Sequence, residues 1–198
     1  VPKVVDHEQR RRELGRALWM VIRKQGIDGA SVRSVAREAG WSPSSVQYYF
    51  TTQAELVAFA MRMITEVLRR APSRKPLPPG PQDAAQETLE RMLPMDAEMR
   101  AVAEVWVAFL PRTLVDEEAR EINRGGHDYL GRTCRRLLAE LGAAGLLRAG
   151  VDVELEADRL HMLMDGMVLH AVTAAEQMPP ERLRSVLHRH LSSLVRAE

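Results

Sequence analysis

Apolar residues recur at the helical period along nearly the whole chain, and no stretch alternates with a period of two, so the pattern predicts helices throughout. A first helix is predicted over about 7–25, with Leu14, Ala17, Leu18, Val21 and Ile22 as its apolar stripe and Gly26 as its end. In residues 31–50, Val32, Val35, Ala36 and Ala39 fall at i, i+3, i+4 and i+7, which is one face of a short helix. Ser31 stands where a hydroxyl can cap that helix, and Gly40 stands where a left-handed residue ends it. Ser42-Pro43 then restarts a helix whose Val46 and Phe50 point inward. Two helices joined by a few residues containing a glycine match the helix-turn-helix pattern.

Thr52-Gln53-Ala54-Glu55 reads as a capping box opening a fourth helix, which Leu56, Ala60, Met63, Ile64, Val67 and Leu68 carry to about residue 70. Residues 71–82 break the pattern, with four prolines and a glycine inside Pro76–Pro81. A helix near 83–93 then ends at Pro94. The next, opened by Asp96, holds Val102, Val105, Trp106, Phe109 and Leu110, is apolar nearly all round and is therefore expected to be buried, with Pro111 kinking or ending it. A long amphipathic segment from Asp116 to about Ala144 is interrupted by Gly125-Gly126. Asp152 can cap a helix over about 153–176, and a last helix follows Met178-Pro179-Pro180. The expected fold is all-α, with about nine helices. A helix-turn-helix domain takes residues 1–52 and a helical body 53–198, in which 53–70 is a connecting helix and 71–82 a Pro-rich loop.

The second helix of the 31–50 pair carries Ser44, Ser45, Gln47 and Tyr48 on its outer side, with Tyr49 at the boundary. These neutral hydrogen-bonding groups are of the kind that reach base edges and phosphates in a major groove. Arg33, in the first turn of the preceding helix, adds a cation. Trp41 in the turn reads as a packing residue. Lys3 and the run Arg10-Arg11-Arg12 could reach flanking phosphates. The plainer alternative is a solvated helix face in a small bundle. Charge is divided to match the first reading. Residues 1–70 hold 12 Lys/Arg against 7 Asp/Glu, and the remainder 16 against 20, although the chain as a whole is only +1.

Residues from about Arg10 to Met63 resemble the N-terminal domain of TetR-type transcriptional regulators, through Gly26, SVRSVAREAGWS, the Tyr48-Tyr49-Phe50 triplet and the TTQAEL opening of the next helix. The resemblance implies a DNA-binding head; together with Lys3, named for its charge, Arg33, Ser44, Ser45, Gln47, Tyr48, Tyr49 and Gln53 are its expected contact set. The sequence departs from most relatives at Gln53, where they have a phosphate-touching lysine, and many have tyrosine at the position of Gln47 and histidine at that of Tyr49.

LPMDAEMRAVAEVWVAFLPRTL and LHMLMDGM are similar to the C-terminal domain of the choline/betaine-repressor type. That similarity implies a homodimer built from the last two helices. Gly166, Ala171 and Ala174 allow close helix approach and Leu187, Leu191 and Leu194 lie on an apolar stripe, so these are the expected interface residues. The alternative is that the same faces close the chain's own core. The similarity also implies a small-molecule effector, for which Trp106, Phe109, Tyr129, Cys134, Met162 and Asp165 are the candidate pocket residues. The plainer alternative for each is ordinary core, and for Asp165 a carboxylate paired or bonded to backbone. Aromatics beside a carboxylate can receive a quaternary ammonium, although aromatic residues make up only 5% of the chain. His188 and His190 face different sides of a helix, and His161 and His170 are nine apart. No HExxH, phosphate loop or Ser-His-Asp order is present. No catalytic residue, metal site or cofactor is expected, and the protein is not expected to be an enzyme. Cys134 is the one cysteine, no apolar stretch nears membrane-spanning length, and 45% hydrophobic with 28% charged residues suits a cytoplasmic globular protein. The expected function is a ligand-responsive repressor on a near-palindromic operator. The alternative is a helical small-molecule-binding or interaction protein whose head has lost DNA specificity.

Overall fold

The computed structural model describes residues 7–70 and 76–196. Nine helices are formed among the described residues: α1 (His7–Gln25), α2 (Val32–Ala39), α3 (Pro43–Gln47), α4 (Gln53–Arg70), α5 (Pro81–Glu90), α6 (Ala97–Thr113), α7 (Glu117–Ala143), α8 (Val153–Thr173) and α9 (Pro180–Leu194). The fold is all-α; its one extended pairing among these residues is an isolated bridge between Leu147 and Val195. The chain divides into two compact units. The first takes the chain up to Leu68 together with Glu104–Asn123, and the second takes Arg69–Ala103 and the chain from Arg124 onward.

In the first unit the helix ends are set by side chains. The Ser31 hydroxyl accepts from the Ser34 N–H at 3.2 Å and the Ser34 hydroxyl accepts from the Ser31 N–H at 2.8 Å, a capping box with serine in the place usual for glutamate. Gly40 ends α2 at φ +68°, and the Trp41 N–H donates back to the Ala36 carbonyl at 2.9 Å. Ser42 caps α3 by accepting from the Ser45 N–H at 3.2 Å. Leu14, Leu18, Val21, Ile22, Val35, Val46 and Phe50 are buried, as the period requires. At the start of α4, Thr52 accepts from the Glu55 N–H at 3.2 Å, but Glu55 closes the motif one residue further back than expected. Its carboxylate takes the Thr51 N–H at 2.6 Å and the Thr51 hydroxyl at 3.1 Å. Those bonds, the backbone one foremost, hold its pKa below the ordinary carboxylate value.

Helix α6 is less buried than its composition suggests. Val105 and Phe109 are fully covered, whereas Trp106 and Leu110 are half-buried and Ala108 is exposed. Pro111 does not stop the helix, which runs on to Thr113. Nor does Gly125-Gly126 interrupt α7, which is continuous over 27 residues. Asp116 starts it by accepting from the N–H groups of Glu118 and Ala119, at 3.0 and 3.3 Å. Interior glycines cost only about 1 kcal/mol each relative to alanine, too little to break a helix already nucleated and packed.

The core of the second unit is a single cluster drawn from α5, α7, α8 and α9, including Leu89, Leu138, Leu160, Met164, Leu187 and Leu191. Arg184 of α9 pairs with Glu90 of α5 at 3.1 Å. The bridge is made by the Arg148 N–H on the Leu194 carbonyl and the Arg196 N–H on the Leu146 carbonyl, both 2.9 Å, and it pins the end of α9 to the α7–α8 connection.

Candidate DNA-binding head and C-terminal cavity

The caps that define α2 and α3 leave one face of the pair open. Arg33, Ser44, Ser45 and Gln47 are exposed, and Tyr48 is 76% exposed although it is a large apolar ring. Tyr49 is half-buried. It packs edge-on to Tyr48 at a centroid distance of 5.2 Å and lies within 6.3 and 6.5 Å of Trp41 and Phe50. Tyr49 therefore supports the face and presents only part of itself. The Ser44 and Ser45 hydroxyls lie 3.0 and 2.8 Å from that of Ser42, clustered at the start of α3. Trp41 is half-buried, in keeping with a packing role, and the Arg10 guanidinium stacks 5.3 Å from its ring centroid. That contact holds one cation of the Arg10-Arg11-Arg12 run beside the turn. Gln53 is exposed in the first turn of α4, where a free backbone N–H end can meet an anion. Lys3 lies outside the described residues.

Of the six residues expected to line an effector pocket, two lie in the first unit and four in the second. Trp106 and Phe109 belong to the first unit, where the Trp106 ring N–H donates to the Asn123 side-chain carbonyl at 3.2 Å and Phe109 is wholly buried. Cys134 is fully buried in the core of the second unit. Burial, with the Asp165 charge adding to it, pushes its thiol up to about 12, so it stays protonated and inert. Tyr129 is half-buried on α7. Met162 and Asp165 share a cavity. It measures about 200 Å³ and lies between α7, which gives His127, Asp128, Gly131 and Arg135, and α8, which gives Asp158, His161, Met162 and Asp165.

The cavity's chemistry is polar. His161 is buried, and burial lowers its pKa against the pull of Asp165; burial likewise raises the pKa of Asp165 against the pull of His161. Both groups are driven towards their uncharged forms. The rings of His127 and His161 lie 4.4 Å apart. Arg135 is held by Glu154 at 3.0 Å and Asp158 at 3.2 Å. Pairing His161 with His170 in sequence finds no metal-ligand arrangement. The fold instead sets His161 and Asp165, one turn apart on α8, against His127 of α7, and this group can hold a cation. The signal present in the sequence was the i, i+4 pair His161–Asp165; its partner 34 positions earlier carried none.

The residues expected at a dimer interface are covered to different degrees within one chain. Ala171, Leu187, Leu191 and Leu194 are buried within one chain, between 0 and 4% exposed, so their apolar surface is already covered. Gly166 and Ala174 are half-buried. The sequence period identified the right stripe of α9 but not what covers it.

Two family models match this chain. Residues 16–59 match the bacterial regulatory proteins of the tetR family, and residues 81–196 match the C-terminal domain of BetI-type transcriptional repressors. The chain belongs to the TetR family. It is 35% identical over 195 residues to the HTH-type transcriptional regulator PksA of Bacillus subtilis (strain 168), covering 98% of this chain and 94% of that one. A solved transcriptional regulator from Rhodococcus sp. Rha1 is 29% identical with a TM-score of 0.71, covering 93% of this chain and 95% of that one. A regulator from Saccharomonospora viridis, solved in complex with choline, shares the fold at TM-score 0.79 and 18% identity, covering 96% and 100%. Among TetR-family chains this one is thus a helix-turn-helix transcriptional regulator with a BetI-type C-terminal domain. No helix of the described residues is long and apolar enough to cross a membrane.

Proposed function

We propose that this TetR-family regulator is a cytoplasmic repressor that binds a near-palindromic operator as a homodimer through residues 31–50. A small molecule bound in the C-terminal helical domain releases it. The observation that carries the reading is the open face of α2 and α3. Tyr48 stands 76% exposed beside Arg33, Ser44, Ser45 and Gln47, while the opposite sides of the same helices are sealed by Val35, Val46 and Phe50. A large ring left in water on a rigid, capped element is what a base- or phosphate-reading surface requires. The match of residues 81–196 to BetI-type repressors supports repression, and the choline complex of the Saccharomonospora relative supports a small-molecule effector. No Trp, Tyr or Phe lines the α7–α8 cavity, so an effector there meets imidazoles and carboxylates in place of an aromatic cage.

Dimerisation would bury the outward face of α8. Leu155, Met162 and Leu169 are 58, 72 and 40% exposed at seven-residue spacing, with the small Gly166 between them. Two heads so joined would enter successive major grooves about one helical turn apart. A gel shift at fixed salt with DNA from around its own gene tests the reading. Retention no better than on random duplex would reject it. Exposed Gln53 favours the second reading, a small-molecule-binding protein with weak DNA specificity, which expects a thermal shift with a metabolite and no operator footprint.

A further inference from the structure

We propose that His127, His161 and Asp165 form a binding site for one divalent transition-metal ion of the zinc type. The ligating atoms of the three residues all lie within 4.8 Å of one another. Two imidazoles and a carboxylate are a donor set that suits zinc and its first-row neighbours, leaving further positions for water or an added ligand. Ligand atoms around one tetrahedral zinc ion stand about 3.3–3.6 Å apart, given bonds of about 2.0–2.2 Å. The His161 Nε2–Asp165 Oδ2 separation of 3.7 Å is already close to that spacing, and His127 is exposed.

Three independent features show that the cluster is built for an occupant. His161 is only 8% exposed, yet its Nε2 has no hydrogen-bond partner. Asp165 Oδ2 stands 3.7 Å from that atom, too far for a hydrogen bond and well placed for an ion to bridge the two. Gly131, buried in the middle of α7, leaves the space His161 occupies: a Cβ at that position would stand 3.3 Å from His161 Nδ1. Glycine is a poor choice inside a helix, so its use here has a packing reason. Lastly, Arg135, the one cation lining the cavity, is committed to Glu154 and Asp158 and so does not compete for Asp165.

An organic cation would want aromatic walls, which this cavity lacks, and an anion would meet the carboxylates of Asp128, Asp158 and Asp165 against one arginine. Soft thiophilic ions find no thiolate, because Cys134 is sealed in the core. As an effector the ion rests on the reading of this cavity as the ligand site; as a bound ion it rests on the three side chains alone.

The test uses the full chain, stripped with chelator and titrated with Co²⁺ under visible absorption, then with Zn²⁺ in competition. One Co²⁺ per chain, displaced by one equivalent of Zn²⁺, is the expected result. His127→Ala and Asp165→Asn should each weaken uptake by at least about tenfold, and His188→Ala on α9 should leave it unchanged. His127 is exposed, so its variant is expected to keep the fold, which a circular dichroism spectrum checks. No uptake at micromolar metal, or wild-type uptake by both ligand variants, overturns the site. Operator binding, measured on the same samples, separates the two readings. Metal-free protein that fails to bind operator counts against the repressor alone, and metal that binds without moving operator affinity removes the ion as effector.

Discussion

The open face proposed to meet DNA is drawn from one continuous stretch, Arg33 to Tyr49, whereas the α7–α8 cavity joins residues 127–135 to residues 158–165. In the head, helical spacing and two serine caps decide which side chains face outward, so neighbours in sequence are neighbours in space. In the body, each helix contributes half of a cluster, and neither half means much without the other. Local geometry made the first surface; packing made the second. The two also differ in charge management. The head exposes its groups to solvent, while the cavity buries His161 and Asp165 far enough to push both towards neutrality.

The largest expected effect separates core from interface in the body. Leu187→Ala should destabilise the second unit by about 2–5 kcal/mol, the cost of a large-to-small change at a filled site. The melting temperature should fall equally at every protein concentration, because Leu187 is covered within one chain. A deficit that disappears as concentration rises would return Leu187 to the interface. Met162→Asp, on the outward face of α8, should show that concentration dependence instead and leave the core intact.

Next in size is the head. Arg33→Ala should cost about 1–3 kcal/mol of operator affinity if the guanidinium reads a base, and should flatten the salt slope by about one if it neutralises a phosphate. Titrations at two salt concentrations tell these apart, and no change in either would remove Arg33 from the contact set. Smaller again is Gln53→Lys. A cation at the exposed start of α4 should tighten binding and steepen the dependence of log affinity on log salt by about 0.9 for one further phosphate. Identical salt slopes would mean that position 53 faces no phosphate.

The smallest effect concerns acid. Burial lowers the pKa of His190 below its ordinary 6.5, with Arg159 reinforcing the shift and Glu156 opposing it. The unfolded chain therefore takes up this proton more readily than the folded one. Stability from this group is full above the unfolded value and is lost as pH falls through the lower folded value. His190→Gln should shallow the decline in stability between neutral pH and pH 5, leaving the same-sense contribution of His161. An unchanged pH slope would place His190 in solvent.

Much of the helical layout was legible in the sequence, because burial at i, i+3 and i+4 and the caps Ser31, Ser42 and Asp152 are local signals. Where expectation and structure part, a tertiary contact or a modest local penalty explains it. Gly125-Gly126 reads as a break, but the cost of two glycines is outweighed within a 27-residue helix. Helix α6 reads as apolar all round, yet Trp106 and Ala108 retain exposure because apolar composition does not say how many sides are packed. Cys134 reads as a pocket candidate, yet the second unit's own core covers it completely.

The sequence by itself determined the all-α fold, the helix-turn-helix and the face of it that stays open, since each depends on spacing within a few turns. Tertiary structure alone decided that Leu187 and Leu191 close one chain's core, and that His127 of α7 meets His161 and Asp165 of α8, with His161 packed against Gly131. Helical periodicity says which side of a helix is apolar or polar. It cannot say which helix, how far away along the chain, will come to rest against that side.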